Sequence, residues 1–329
     1  MAMISPFVTP CENRLQPLGD RYVGEHFPLS PAPRPKPSRF FINRVPVDRM
    51  PMKDAVAWVV HALKRRSSPL PLLIMGPNAY LVTLAARDQR FAEALQAADL
   101  ALPDGISVVM ASRLLGAPIP ERVTGGDMME RLCAEAARHG LSVFFLGGLP
   151  GAAIGAAENL VRRYPALKIA GTYCPPLGFE KEPMEAAHVR QIIARARPDI
   201  LCVAFGAPKQ EIWMHENCPT LPVGVAISVG AALDTQAGLR RRAPRWTHDL
   251  GIEWLYRLIR EPRRLWRRYL VGNSHFIYLT LRQWVGGSRG GSPDLQKQIH
   301  DGSLTFSQLR NSAAETAAGT LQAEAQSTT

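Results

Sequence analysis

Short apolar runs alternate with longer amphipathic stretches through the middle of the chain, roughly residues 40–235. The apolar runs are LPLLIM (70–75), LALP (100–103), LSVFFLGG (141–148), LKIAGTY (167–173), DILCVAFGAP (199–208) and PVGVAISVGAALD (222–234). Continuously apolar runs separated by helical segments are typical of strands in a parallel sheet that is covered on both faces. The pattern therefore predicts an α/β fold with a Rossmann-like, mostly parallel sheet and helices on both faces.

The amphipathic stretches between these runs predict the helices. They cover residues 79–98, 104–116, 128–140, 151–165, 185–197 and 209–217. Gly140 follows its helix at the position where a left-handed C-cap is common. In the segment ERVTGGDMMERL, Asp127 is the residue that we expect to cap the following helix.

Composition divides the chain into four parts. Residues 1–38 contain eight prolines and predict an extended leader, whereas residues 286–329 are rich in Gly, Ser, Gln, Ala and Thr and predict a flexible tail. Between them we expect an α/β domain over 39–238 and a basic helical appendage over 239–285. The sequence shows no signal peptide and no apolar run that approaches the roughly 18–20 residues of a membrane span, which favours a soluble or peripheral protein.

The cysteines and the charge limit the classes of function. Five scattered cysteines without a C-x-x-C pair favour a reducing cytoplasm over a disulfide framework or a zinc site. The formal net charge is +11, and residues 240–268 contain ten arginines against three acidic residues. Such a local excess predicts a surface for a polyanion, which at this point is nucleic acid, anionic lipid or a phosphorylated substrate.

The arginine-rich stretch RLIREPRRLWRRY (257–269) has the periodicity of an amphipathic helix. Five arginines cluster on one side of a helical wheel, with aromatic and aliphatic residues on the other. Pro262 predicts a kink or a break into two helices, with the proline in the first turn of the second. A basic helix with interfacial aromatic residues suits an anionic membrane surface.

Gly and polar residues follow each predicted strand, at the edge where α/β sheets bind their ligands. Gly76 and Asn78 follow the first run, and the glycines Gly147 and Gly148 lie in the turn GGLPG before a helix. Backbone N–H groups in such a turn suit a phosphate or a nucleotide, although the turn also fits a plain structural role. It is neither the G-x-G-x-x-G fingerprint nor a P-loop.

Four further polar residues at strand exits have two interpretations each. Asp104 either caps the next helix or is a general base in the crevice. Gln210 and Glu211 either complement a helix dipole or hydrogen-bond a sugar or nucleobase, and Asp234 either caps a helix or binds a ribose diol. The histidines show no metal-ligand spacing and there is no D-x-D motif, so we expect neither a metal nor a cofactor.

The order of these motifs resembles the WecG/TagA/CpsF family of bacterial glycosyltransferases over about residues 40–282. The motifs are Asn78, PDG (103–105), ERVTGGD (121–127), FFLGGLPG (144–151), GAPKQE (206–211), SVGAALDTQAG (228–238), RRAPRW (241–246) and GIEWLYRLIREPRRLWRRY (251–269). The resemblance implies a cytoplasmic, membrane-associated, metal-independent, inverting enzyme. It would move a sugar from a UDP-sugar to a polyprenyl-diphosphate-linked saccharide in cell-surface polysaccharide synthesis.

The resemblance also implies roles for individual residues. Asp104 takes the place of the catalytic base. The donor-pocket positions by resemblance are Asn78, Arg122, Gln210 and Asp234. From their places after the predicted strands, we add Gly76, Gly147, Gly148 and Glu211 as candidate donor-binding residues. The appendage arginines that would meet the diphosphates, and the membrane, are Arg257, Arg264 and Arg267.

One residue departs from the family pattern, because Gly76 stands where the family often has a threonine. The donor sugar therefore stays open among N-acetylmannosamine, its uronic acid and glucose, and a homo-oligomer is left open too. Two other classes compete with the transferase: a nucleotide-dependent oxidoreductase, which lacks its glycine fingerprint here, and a nucleic-acid-binding protein, which leaves the strand-end turns unexplained.

Overall fold

The computed structural model describes residues 38–65, 70–241, 243, 244, 247, 253–260, 262–266 and 272–286. A parallel sheet of six strands forms the centre. These strands are β3 (Leu72–Met75), β4 (Leu100–Ala101), β5 (Ser142–Gly147), β6 (Lys168–Tyr173), β7 (Ile200–Ala204) and β8 (Val225–Ser228). Their order across the sheet is β4-β3-β8-β7-β5-β6. The predicted α/β class and parallel sheet are thereby confirmed.

Helices cover both faces of this sheet. On one face lie α2 (Ala79–Ala85), α3 (Gln89–Gln96), α4 (Ile106–Leu114), α7 (Pro183–Ala196) and α8 (Lys209–Asn217). On the other lie α1 (Met52–Arg65), α5 (Gly125–His139), α6 (Ala152–Arg163) and α9 (Ala232–Gln236). Each face of the sheet has its own hydrophobic core, called first and second in the order just given. Successive strand residues point to opposite faces, so that Leu73 and Met75 lie in the first core and Ile74 in the second. Burial on both faces explains why the strands are apolar throughout.

A β-hairpin, formed by β1 (Ser38–Ile42) and β2 (Val45–Arg49), joins the first core. The carboxylate of Asp48 is fully buried and accepts hydrogen bonds from both Nε and Nη2 of Arg39, each at 2.7 Å. It also accepts the backbone N–H of Ala101 in β4 at 2.7 Å. The ion pair therefore joins the two strands of the hairpin, since an unpaired buried charge is costly. The bond from Ala101 fixes the hairpin to the edge strand of the sheet.

Two predicted elements have different bounds in the structure. The single helix expected over 79–98 is two helices, because Asp88 begins the second one and its side chain accepts the N–H of Phe91 at 3.1 Å. The strand expected over 222–234 ends at Ser228, and Asp234 lies in α9 instead. Residues 79–98 are compatible with a helix throughout, and residues 222–234 are mostly apolar. Neither pattern shows where the first element breaks or where the second ends.

The C-terminal part contains α10 (Glu253–Arg260), α11 (Pro262–Trp266) and α12 (Gly272–Val285). Pro262 opens a helix, as the sequence predicts. The predicted leader (1–38) and flexible tail (286–329) fall almost entirely on residues 1–37 and 287–329, which lie outside the described residues. None of the described helices has both the length and the apolar character that crossing a bilayer requires.

Candidate active site

The loops that follow the strands of the sheet meet at one side of it, which we call the polar edge. The loops after β3 and β4 bring Gly76, Asn78 and Asp104 together there. Asn78 is the N-cap of α2, where its Oδ1 accepts the N–H groups of Tyr80 at 3.0 Å and Leu81 at 3.2 Å. The backbone N–H of Asp104 donates to the carbonyl of Pro77 at 2.9 Å. A Cβ on Gly76 would lie 3.2 Å from the Cβ of Asp104 and 3.5 Å from its Oδ2. The three predicted residues therefore form one corner of the polar edge.

Asp104 is not the cap of the helix that follows it. The N-cap position of α4 is Gly105, and this helix receives no hydrogen bond from a capping side chain. The structure therefore excludes the capping interpretation that the sequence leaves open for Asp104. Asp104 is a half-buried carboxylate in the loop after β4, and its role as a general base stays a prediction.

Arg122 lies in the loop before α5, near this corner. Its neighbour Val123 donates its N–H to the carbonyl of Pro103 at 3.0 Å, so the segment runs beside the residue before Asp104. The cap of α5 is Thr124 and not Asp127 as expected: the N–H of Asp127 donates to the Thr124 Oγ1 at 3.1 Å. The Thr124 hydroxyl in turn donates to the Asp127 carboxylate at 2.7 Å. The threonine three positions earlier has the better geometry for the cap.

The glycines of the GGLPG turn are required by their conformation and by their neighbours. Gly147 has φ 97° and Gly148 has φ 84°. A Cβ on Gly147 would lie 2.8 Å from the carbonyl oxygen of Ala204 in β7, and the N–H of Gly148 donates to that same oxygen at 2.9 Å. The turn is therefore held close against the exit of the neighbouring strand.

Asp234 holds this turn from the exit of β8. Its Oδ1 accepts the N–H of Leu149 at 2.8 Å, and its Oδ2 pairs with Arg240 Nε at 3.2 Å. The side chain of Asp234 is buried, and a Cβ on Gly148 would lie 3.1 Å from its Oδ1. The structure therefore gives Asp234 a part in shaping the turn, besides the donor-binding role that the resemblance implies.

Gln210 links the exits of β7 and β8. Its Oε1 accepts the N–H groups of Gly206 and Gly230, both at 3.2 Å. Its Nε2 donates to Oε1 of Glu211 at 2.7 Å, and both side chains are buried. This pair at the start of α8 thus holds two loops of the polar edge at a fixed separation.

The cysteines near the edge do not have the character of nucleophiles. Cys174 follows β6, and its Sγ donates to the carbonyl of Gly148 at 3.3 Å. Burial, and then the nearby carboxylate of Asp234, raise the pKa of the Cys174 thiol. Burial also raises the pKa of the Cys202 thiol in β7. Since the thiolate is the reactive form, neither thiol is suited to act as a nucleophile.

Of the three appendage arginines, two lie on described helices and one does not. Arg257 lies on α10 and Arg264 on α11, while the structure describes the side chain of neither. Arg267 lies outside the described residues. Their assignment to the diphosphates stays a prediction.

Three residues that shape this edge were not among the site residues that the sequence predicts. Gly206 and Gly230 supply the N–H groups that Gln210 accepts, and Arg240 pairs with Asp234. Their only signal in the sequence is position, since both glycines directly follow apolar runs and Arg240 begins the basic segment. Hydrogen bonds between loops of different strands leave no periodicity by which to find them.

The fold and this edge define an α/β protein with a carboxylate and glycine-rich turns at the carboxyl ends of its parallel strands, where sheets of this kind bind their ligands. Residues 40–290 match the glycosyl transferase WecG/TagA/CpsF family. This range covers well over half of the chain, and the chain therefore belongs to that family, as its motifs predict.

Two curated relatives carry the same name, N-acetylglucosaminyldiphosphoundecaprenol N-acetyl-beta-D-mannosaminyltransferase. The protein of Bacillus spizizenii (strain ATCC 23059 / NRRL B-14472 / W23) is 37% identical over 205 residues, which are 60% of this chain and 77% of the relative. The protein of Bacillus subtilis (strain 168) is 34% identical over 198 residues, 60% of this chain and 75% of the relative. The comparisons favour a transferase over the oxidoreductase and the nucleic-acid-binding protein.

Proposed function

We propose that this glycosyltransferase moves a sugar from a UDP-sugar to a polyprenyl-diphosphate-linked saccharide, at the cytoplasmic face of the bacterial membrane. The family membership supports the transferase class, and the names of the two relatives support the lipid-linked acceptor. The observation that carries the proposal is the corner formed by Asp104, Gly76 and Asn78, with Gly105 as the helix cap in place of Asp104.

Asp104 would act as the general base of an inverting displacement. The acceptor hydroxyl gives its proton to the carboxylate while its oxygen attacks the anomeric carbon of the donor. The new carbon–oxygen bond forms as the bond to the diphosphate breaks, and the electron pair leaves with UDP. One carboxylate within hydrogen-bond reach is sufficient for this step.

The negative charge that develops on the departing diphosphate needs positive groups or N–H donors. The chain has no D-x-D motif with which to hold a metal ion for this purpose. Arg122 and the arginines of α10 and α11 are the groups that we assign to this charge. The N–H groups of Gly148 and Leu149 in the GGLPG turn already donate to Ala204 and Asp234. The expected result is transfer that persists after treatment with a chelator.

Asp104→Asn tests the base. The substitution keeps the size of the side chain and the backbone bond to Pro77, so that UDP affinity and thermal stability should stay near those of the wild type. Initial transfer rates should fall at least about 100-fold, because amides do not accept the proton. Asp88→Asn is the matched control, since Asp88 caps α3 and Asn caps helices equally well. Near-normal turnover by Asp104→Asn would refute the assignment.

A panel of donors tests the sugar. UDP-N-acetylmannosamine, its uronic acid and UDP-glucose are each offered with one N-acetylglucosaminyl-diphospho-polyprenol acceptor, and UDP release is measured with and without acceptor. The names of the relatives favour N-acetylmannosamine. Gly76 lacks a hydroxyl beside Asp104, which keeps the other two donors in the panel. Acceptor-independent hydrolysis alone, with all three donors, would contradict the transferase proposal.

A further inference from the structure

Helix α9 carries Asp234 and is only five residues long. Its N-cap position is Ala231, and no side chain caps the helix there. A helix of this length is not stable by itself, since isolated helices shorter than about 12–15 residues are marginal in water. The place of the Asp234 carboxylate therefore depends on the segments that pack against α9.

Two longer helices, α5 and α6, hold α9 between them. A Cβ on Gly126 of α5 would lie 3.5 Å from the Cβ of Ala232, the first residue of α9. A Cβ on Gly155 of α6 would lie 3.1 Å from the Cβ of Ala237, the residue directly after α9. Both helices thus approach α9 closely at a glycine, one at each end of it.

Hydrogen bonds at the C-terminal end of α9 join the three helices. Gln236 is buried, and its Nε2 donates to Oε2 of Glu130 on α5 at 3.0 Å. Oε1 of the same carboxylate accepts a hydrogen bond from Arg163 of α6. Nδ2 of Asn159, also on α6, donates to the backbone carbonyl of Gln236 at 2.7 Å. Gln236 is therefore bound to both neighbouring helices, and Glu130 connects all three.

Gln236 and Asp234 point to different sides of α9. They are two residues apart, which is about 200° around a helix. Asp234 faces the GGLPG turn, where its Oδ1 accepts the N–H of Leu149 at 2.8 Å. Gln236 faces Glu130 instead. Since both residues belong to one short helix, a displacement on the Gln236 side also displaces the Asp234 carboxylate from the turn.

We propose that Gln236 and Glu130 are positioning residues for the donor nucleotide. They bind the back of α9 and keep the Asp234 carboxylate on the GGLPG turn, so that they act through Asp234 and not by contact with the donor. A hydrogen bond to a carboxylate is among the stronger kinds in proteins, which suits it to this purpose. The inference rests on the proposed function in one respect, since it takes the nucleotide of a UDP-sugar as the ligand of Asp234.

Amide hydrogen exchange at Leu149 tests the positioning directly, because this N–H donates to Asp234. Gln236→Leu keeps the approximate size of the side chain and removes its amide. Exchange at Leu149, followed by NMR in the full chain, should become at least about tenfold faster, because the bond to Glu130 that holds α9 is lost.

Ser142→Ala is the matched control. The Ser142 hydroxyl donates to the carboxylate of Asp199 at 2.9 Å, at the start of β5 and so at the end of that strand opposite the GGLPG turn. The variant loses a comparable hydrogen bond, and its melting temperature should fall by a similar amount. Its exchange at Leu149 should stay within about twofold of the wild type, since distant sites act independently.

UDP affinity tests the consequence for the site. Gln236→Leu and Glu130→Leu should each raise the Kd of UDP and the KM of the donor at least about fivefold, with kcat within about twofold of the wild type. Glu130→Gln keeps an oxygen that accepts the Gln236 amide and should bind UDP as the wild type does. In the Asp234→Ala background, Gln236→Leu should change the Kd by less than about twofold, because its effect passes through the missing carboxylate.

These results separate a positioning role from a merely structural one. Unchanged exchange at Leu149 in Gln236→Leu overturns the inference. An equal rise of the UDP Kd in Ser142→Ala also overturns it, since lost stability then explains the effect. Equal effects of Gln236→Leu with and without Asp234 do the same. Absence of UDP binding by the wild type would refute the proposed function instead, and exchange at Leu149 would still decide on the positioning.

Discussion

Gln210 offers the sharpest separation between a residue that binds the donor and one that shapes the site. Replacement by Met keeps the length of the side chain and removes its amide. The variant then lacks the acceptor for the N–H groups of Gly206 and Gly230, both at 3.2 Å, and the donor to Glu211 at 2.7 Å. Only 6% of Gln210 is exposed, so water does not readily replace these bonds.

The expected loss of stability follows from the three bonds. The two to the glycines are long and neutral, whereas the one to Glu211 has a carboxylate acceptor, and together they contribute about 2–3 kcal/mol. In a domain of this size, that loss corresponds to a fall in melting temperature of roughly 5–10 °C. Differential scanning fluorimetry measures the fall directly, and urea unfolding gives the free energy. UDP affinity is measured by calorimetry at a temperature where both proteins are folded.

Gln89→Met is the control, because Gln89 makes comparable side-chain bonds on the exposed start of α3. Its stability should change by less than about 0.5 kcal/mol. If Gln210→Met leaves the melting temperature unchanged and lowers UDP affinity tenfold or more, the loop-linking role is refuted. Gln210 is then a donor contact, as the resemblance implies. A fall in both quantities together indicates that UDP binding depends on the two loops that the amide holds.

Two further variants test how the fold holds the site, both by urea unfolding. Gly147→Ala should lower the free energy of unfolding by more than about 3 kcal/mol, since backbone strain and overpacking combine. The φ of Gly147 is 97°, and the new Cβ would lie 2.8 Å from the carbonyl oxygen of Ala204 in β7. Gly151→Ala, with φ 84° and nothing within 4 Å, should cost only about 1–2 kcal/mol, and equal costs would contradict the steric argument. Asp48→Ala should lower the free energy of unfolding by about 3–5 kcal/mol, because the mostly buried Arg39 then lacks the carboxylate of Asp48. A change below about 1 kcal/mol would show that this ion pair does not hold the hairpin in place.

The predicted strands were found in the structure, with shorter bounds, because each is buried on both faces and is therefore apolar along its whole length. Parallel strands place their exits at one edge, which is why residues as distant in sequence as Asn78 and Asp234 could be predicted to share a site. The break between α2 and α3 could not be found in the same way. Asp88 fits an exposed helix position as well as a cap, and periodicity does not distinguish the two.

Contacts between distant segments, by contrast, left no pattern to read. The sequence by itself determined the parallel α/β architecture, the polar strand exits and the family, since these depend on local periodicity and on motifs in a fixed order. Only the tertiary structure decided that Gly105 and not Asp104 occupies the cap of α4, and that Asp234 holds the turn at Leu149, 85 residues earlier. It also decided which side of α12 is buried, because apolar residues occur on both sides of that helix and only packing against α2 distinguishes them.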